Sequence, residues 1–388
     1  MVEGIQSYSD SNIRAFFELL RAGLWEEEAR PSQYQDIDFA AIMQLAEEQS
    51  VVGLITAGLE HVADVKMQQE WSMQFVGRTL QIEQRNKVMN AFIADLIEKL
   101  RKEDIYAILV KGQGIAQCYE RPLWRSSGDV DLFLNDTNYQ KASNILTEIA
   151  SSVEDENPYN KHLAMSIDGW SVELHGTLRG SIKRINRVID EVQNDVFYGG
   201  CVRSWMNGKK QVFLPRADED VFFVFTHILQ HFYIEGIGLR QICDWCRLLW
   251  TYKESLNYGL LESRIRKACI MKEWKSFGAF AVEYLGMPEE AMPFLDVRGK
   301  IDDERCEVDK RLKRKADRIL AFVMESGNFG HNRDISYKQK YPFVIRYAMS
   351  FWLYTKLAIQ RFSISPRNAI MAWWAIVKLG ANAAAKAI

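Results

Sequence analysis

Residues 105–134, IYAILVKGQGIAQCYERPLWRSSGDVDLFL, set two acids two apart at the head of an apolar run, Asp129 and Asp131. Side chains alternate along a strand, so both carboxylates leave the same face. Burying unpaired charge is costly, so a fold that accepts this strand must supply a positive partner. A divalent cation is one such partner. A later apolar run, 170–175, carries Glu173 and can bring a third carboxylate from a second strand. The apolar run 105–110 ends in Lys111-Gly112. Three oxygen donors beside a lysine–glycine bend point to a magnesium site of the kind used in phosphoryl or nucleotidyl transfer. The plainer reading has Asp129 capping a turn and Asp131 paired with Arg125 or Arg121.

The 388 residues, 48% of them apolar, suffice for two or three domains with real cores. The net charge of -2 gives no global attraction for nucleic acid. The most basic run, 309–318, has no interleaved aromatic residue and reads as a solvated helix face. Six cysteines lack a framework spacing, and the polar start, 1–12, lacks an apolar leader core. A cytoplasmic, reduced protein is expected. Cys243 and Cys246 have CxxC spacing, but no second Cys/His pair follows, and their helical run is apolar. They read as buried thiols.

Apolar periodicity predicts helices at 12–23, 38–49 and 51–63, the last broken at Gly53. A long helix at 69–101 should turn Phe75, Leu80, Val88, Phe92, Leu96 and Leu100 inward. Strands follow at 105–110 and 129–134, with a short helix, 113–119, between them. A helix at 138–151 should be capped by Asp136 or Thr137. Asp168-Gly169 and Asn207-Gly208 mark hairpins between 164–167 and 170–175 and between 202–206 and 211–214. A helix is expected at 183–197. After Pro215 the strand signals vanish, and helices are expected at 218–233, 239–252, 260–268, 272–285, 311–325, 343–362 and 369–387. The stretch 327–341 reads as an exposed loop. The class is α+β, a small mixed sheet flanked by helical regions, divided as 1–82, 83–215 and 216–388. No transmembrane span is expected, since 343–362 carries Arg346, Lys356 and Arg361. The last helix holds Trp373, Trp374, Lys378 and Lys386 with no acid. It either docks on the body by its tryptophan face, the simpler reading, or lies on an anionic surface.

Gly112 would let a phosphate approach the backbone, and Lys111 or Arg125 would neutralise triphosphate oxygens. The ordered set Lys-Gly-x-Gly-Ile-Ala-x-x-Tyr, Arg-Pro-x-x-Arg, Gly-Asp-Val-Asp-Leu and Val-Glu-Leu-His resembles the uncharacterised nucleotidyltransferase family, within the DNA polymerase beta-like nucleotidyltransferase superfamily. The resemblance covers about 105–175 and extends loosely to His227, His231, Arg240 and Asp244. It implies a small mixed-sheet nucleotidyltransferase core. Gly112-Gln113 would form the phosphate turn, with Gln113 standing where serine commonly contacts phosphate. Asp129, Asp131 and Glu173 would hold two Mg²⁺ ions, and the substrate would be a nucleoside triphosphate such as ATP. The acceptor would be a small-molecule or protein hydroxyl rather than nucleic acid.

His175 shares the face of Glu173 and would either orient a ligand or touch substrate; a satisfied structural histidine is the alternative. His227 and His231, four apart, have zinc spacing, yet HILQH lacks the glutamate of HExxH. With Arg240 and Asp244 they would form a polar face bordering the acceptor pocket. The competing expectation is a catalytically silent module on the same fold, binding nucleotide or a protein partner.

Overall fold

The computed structural model describes residues 10–64, 67–157, 161–295, 310–328 and 343–387. The expected loop at 327–341 lies almost wholly outside them. The N-terminal region consists of α1 (Asp10–Trp25), α2 (Phe39–Glu48) and α3 (Val52–Glu60). Glycine sets their spacing. A Cβ on Gly23 would lie 1.9 Å from the Leu54 carbonyl oxygen, and one on Gly58 would lie 1.9 Å from that of Leu19. The backbones of α1 and α3 therefore touch. Gly53 does not break α3 as expected. It lies inside the helix, where a Cβ would meet the Trp124 carbonyl oxygen at 2.1 Å.

α4 (Gln69–Lys102) runs unbroken from these helices to the sheet, so the expected division at 82/83 falls within it. Its inward stripe differs from the apolar one expected: Leu80 and Val88 face solvent, while Thr79 and Asn86 are buried. The buried polar groups are satisfied. The Thr79 and Thr56 hydroxyls lie 2.7 Å apart, and Asn86 Nδ2 donates to the carbonyls of Leu123 and Arg125 at 2.8 and 2.7 Å.

Seven strands form one mixed sheet: β1 (Ile108–Val110), β2 (Asp129–Phe133), β3 (Ser152–Val153), β4 (His162–Ile167), β5 (Trp170–His175), β6 (Arg203–Asn207) and β7 (Lys210–Leu214). Their order is β3-β4-β5-β2-β1-β7-β6. β2 pairs parallel with β5, and β1 parallel with β7; the other pairs are antiparallel. β1 is shorter than the apolar run containing it. Asp104 takes a positive φ of 56° and Ile105 N–H closes on Leu100 O at 3.0 Å, so the run's first residues end α4 instead.

Two short helices join these strands, α5 (Gly112–Ala116) and α6 (Asp136–Ile149). Asn135, not Asp136 or Thr137, caps α6, its side chain accepting from Asn138 N–H at 2.9 Å. The sheet's two faces differ. Val130, Leu132, Val172 and Leu174 enter a core with Ile93 and Ile97 of α4 and Leu146 of α6. The alternate residues of β2 and β5 face the other way.

On that side lie α7 (Lys183–Tyr198), α8 (Ala217–Ile234) and α9 (Leu239–Tyr252), followed by α10 (Tyr258–Ala268) and α11 (Met271–Leu285). The large helical core centres on packed rings of Phe225, Trp245, Trp274 and Phe277. α12 (Lys310–Ser326), α13 (Phe343–Phe362) and α14 (Pro366–Ala387) complete the chain. Among the described residues no helix is long and apolar enough to cross a membrane. Cys243 and Cys246 are buried in α9, where burial pushes both thiols up, as inert core groups require.

Two glycine-to-alanine changes should behave oppositely. Gly58→Ala drives a methyl into the α1 backbone and should cost about 3 kcal/mol. Gly77→Ala in α4 meets nothing within 4 Å and should stabilise by about 0.5–1 kcal/mol. Urea unfolding of both variants checks the pair.

Candidate active site

The parallel pairing of β2 with β5 sets Asp131 opposite Glu173 and Val130 opposite Val172. Strand alternation puts Asp129, Asp131, Glu173 and His175 on the face away from the α4 core. One donor atom from each of Asp129, Asp131 and Glu173 lies within 4.8 Å of the others. Asp131 is almost fully buried. Its charge is met by Lys111 Nζ at 2.7 Å and His175 Nε2 at 2.8 Å, both on the same oxygen. Arg125 and Arg121, the partners of the plainer reading, bind elsewhere. Arg125 takes Asp244, and Arg121 takes Glu60 at 2.7 Å and Glu26 at 3.5 Å.

Crowded charge perturbs four groups here. The Asp131 charge and burial raise Asp129, against the pull of Lys111. Burial works against the Lys111 cation, but Asp131, Asp129 and Glu173 outweigh it and raise its pKa. Burial pushes Glu173 up, yet hydrogen bonds from His162 and His175 hold its carboxyl well below the usual range. Burial opposes the His175 charge, and its bonds to Asp131 and Glu173 raise it.

Lys111 reaches Asp131 from a bend with consecutive positive φ angles, 57° at Lys111 and 43° at Gly112. At Lys111 ψ is -150°, a region that a side chain disfavours by about 1–3 kcal/mol. Gly112 tolerates its own angle. This bend aims the ammonium at the acids and opens α5.

Gln113 goes the other way. It is buried, and Nε2 donates to Asn86 Oδ1 at 2.8 Å. A side-chain contact with phosphate, expected from its position in the turn, would require it to leave Asn86.

A cleft of about 770 Å³, counting its solvent-open mouth, lies over the acids. Lys111, Gly112, Arg125, Ser127 and the three acids form one side, and His227, His231, Arg240, Gln241 and Asp244 form the other. Arg125 is tied down there: Nε and Nη2 donate to the two Asp244 oxygens at 2.7 and 2.6 Å. Tyr119 adds its hydroxyl to Asp244 at 2.8 Å, and Arg240 donates to Ser126 O at 2.7 Å. His227 and His231 face each other, Nε2 to Nε2, at 2.9 Å. Burial, then Lys111 and His231, lower His227 well below its ordinary value.

A second set of convergent donors, His162, Glu173 and His175, shares Glu173 with the first; His227 and His231 belong to neither. His162 Nε2 lies 3.1 Å from Glu173 Oε2. The sequence reading missed His162 by starting β4 at residue 164. The Asp168-Gly169 turn held the signal: counting back across it pairs 167 with 170 and hence His162 with His175.

The acids are hard oxygen donors on adjacent rigid strands, the donor chemistry of Mg²⁺ or Mn²⁺. They fit a divalent cation. The family model described as an uncharacterised nucleotidyltransferase matches residues 35–286, and the chain belongs to that family. No curated protein and no solved structure matches the chain.

Removing Asp244 strands the buried Arg125 charge. Asp244→Ala should therefore cost about 3–5 kcal/mol, and Arg125→Met combined with Asp244→Leu should recover at least about 2 kcal/mol of it. Chemical denaturation of the three chains checks this.

Proposed function

We propose, from the chain's place in the uncharacterised nucleotidyltransferase family, that it transfers a nucleoside monophosphate from a nucleoside triphosphate to a hydroxyl acceptor, with Mg²⁺. The observation that carries the reading is the convergence of Asp129, Asp131 and Glu173, donor atoms within 4.8 Å, in a cleft also lined by Lys111, Arg125 and Arg240. Asp129 and Asp131 would hold one ion, and both with Glu173 a second. When bound, such ions neutralise phosphate charge and acidify an acceptor hydroxyl.

The protein's own groups do the positioning. Lys111, held at Asp131, is placed to swing onto an arriving phosphate. The Lys111-Gly112 bend leaves backbone close to the cleft, where a phosphate can approach α5. Arg125 is committed to Asp244, so its part is to fix the cleft wall and add positive potential. His162 and His175 grip Glu173 and fix its rotamer. His227 and His231, on the wall opposite the acids, would border the acceptor. The acceptor oxygen forms a bond to the α-phosphorus, the bond to the β-phosphate oxygen breaks, pyrophosphate leaves, and the hydroxyl proton passes to water. Orientation and charge neutralisation supply the rate.

Mg²⁺ with a nucleoside triphosphate should raise the melting temperature, and pyrophosphate should appear when an acceptor-containing extract is added. Asp131→Asn and Glu173→Gln should each lower transfer by about a thousandfold or more. An unchanged melting temperature would sink the reading. A thermal shift without any pyrophosphate would favour the silent nucleotide-binding module instead.

A further inference from the structure

The last two helices bury polar groups and leave most of their large apolar side chains exposed. Buried Arg361, at the end of α13, donates to Tyr233 O at 2.6 Å, with its guanidinium 4.7 Å from the Phe322 ring. Asn368 of α14 hydrogen-bonds Glu273. The helices hold each other through Trp373 Nε1, which donates to Thr355 Oγ1 at 2.9 Å. The inward attachments thus combine these polar groups with a short apolar strip, Leu357, Ile364, Ala369 and Ala372. The outward stripe of α13 carries Ile345, Met349, Trp352 and Ile359, spaced at helical intervals, with Trp352 68% and Ile359 70% exposed. The outward face of α14 carries Ile370, Met371 and Trp374, the last 63% exposed, between exposed Arg367 and Lys378. Nine of the twenty large apolar side chains exposed among the described residues lie on these two helices.

A contiguous exposed apolar face of this kind marks an interaction surface. Charge selects the occupant. Residues 343–388 contain no aspartate or glutamate. Arg361 is buried and Lys356 lies 3.8 Å from Glu325 of α12, and the exposed cations that flank the α14 face are Arg367 and Lys378. A second copy would bring like charges together across a shared axis. Aromatic and branched apolar side chains projecting outward between cations suit the boundary of a bilayer, where rings enter the headgroup layer and cations meet anionic lipid. We propose that α13 and α14 dock the protein peripherally on anionic membrane, lying on the surface without crossing it. This goes beyond the transfer reading and does not depend on it.

Co-sedimentation of the full chain with vesicles, without nucleotide, tests the proposal. Binding to mixed phosphatidylcholine–phosphatidylserine vesicles should exceed binding to phosphatidylcholine alone by about tenfold or more, and should weaken in high salt. Trp352→Ser with Trp374→Ser should lower binding about tenfold. Arg367→Glu with Lys378→Glu should lower it by more than about tenfold. All four positions are exposed, and an unchanged circular dichroism melt verifies folding. Absence of binding, equal binding to both vesicle types, or indifference to either double variant would overturn the proposal. So would a wild-type dimer that Trp352→Ser with Trp374→Ser dissociates, since the second copy would then occupy this face.

Discussion

One register governs this molecule: parallel strands β2 and β5, paired with Asp131 opposite Glu173. A shift of one residue would bring Val172 or Leu174 to the cleft and push Glu173 into the α4 core. The apolar residues between the acids hold that register, because Val130, Leu132, Val172 and Leu174 must all reach the same core. The hydrophobic pattern thus fixes where charge accumulates. Three carboxylates so close repel one another, and Asp129 shows it in a raised pKa. Lys111, His162 and His175 offset part of that repulsion. The strained Lys111 backbone is the local cost of aiming an ammonium at Asp131.

The sheet is only half of the cleft. The other wall, α8 and α9, is joined to it by buried arginines and not by apolar contact alone. Arg125 reaches Asp244, and Arg240 reaches Ser126 O. Arg247 takes Cys118 O at 2.8 Å and Leu24 O at 2.9 Å. Apart from the Leu24 bond, which ties α9 to α1, these bonds converge on the segment 118–127, which α4 secures from behind through Asn86. A bidentate arginine has a definite orientation, whereas an apolar patch can slide. The Arg-Pro-x-x-Arg segment is therefore best understood as the joint between two walls, and the width of the cleft follows from it.

Much of this was legible in the sequence, and most of the failures share a cause. Period-two alternation placed Asp129 with Asp131 and Glu173 with His175 on one face of their respective strands, and dipeptide turns located both hairpins; that the two faces coincide is set by the β2–β5 register. The α+β class and its helical flanks followed from the loss of strand signal after Pro215. What escaped was set by partners far along the chain. Gly53 reads as a helix breaker until Trp124 is seen against it. Thr79 and Asn86 look like surface residues of α4, and Leu80 like core, until Thr56 and the carbonyls of 123 and 125 are in place. Gln113 stands in the phosphate turn by position, but Asn86 draws its side chain away. Apolar periodicity cannot report a buried polar stripe, because each member is tolerable only with its distant partner. His162 was different: the hairpin count contained it, and a late strand start concealed it.

α8 links the two ends of the molecule. It presents His227 and His231 to the cleft, and its Tyr233 carbonyl receives Arg361 from α13. Both attachments are polar and sit within two turns of one helix whose apolar residues fill the main core. A helix anchored by Phe222, Phe225, Leu229 and Phe232 cannot rotate without breaking that core. The cleft and the outward apolar face are therefore held in a fixed relation through α8. The inward side of α13 and α14 is narrow: Leu357, Arg361, Asn368, Ala369 and Ala372 fill it, and most of the remaining large apolar side chains lie on the outer side.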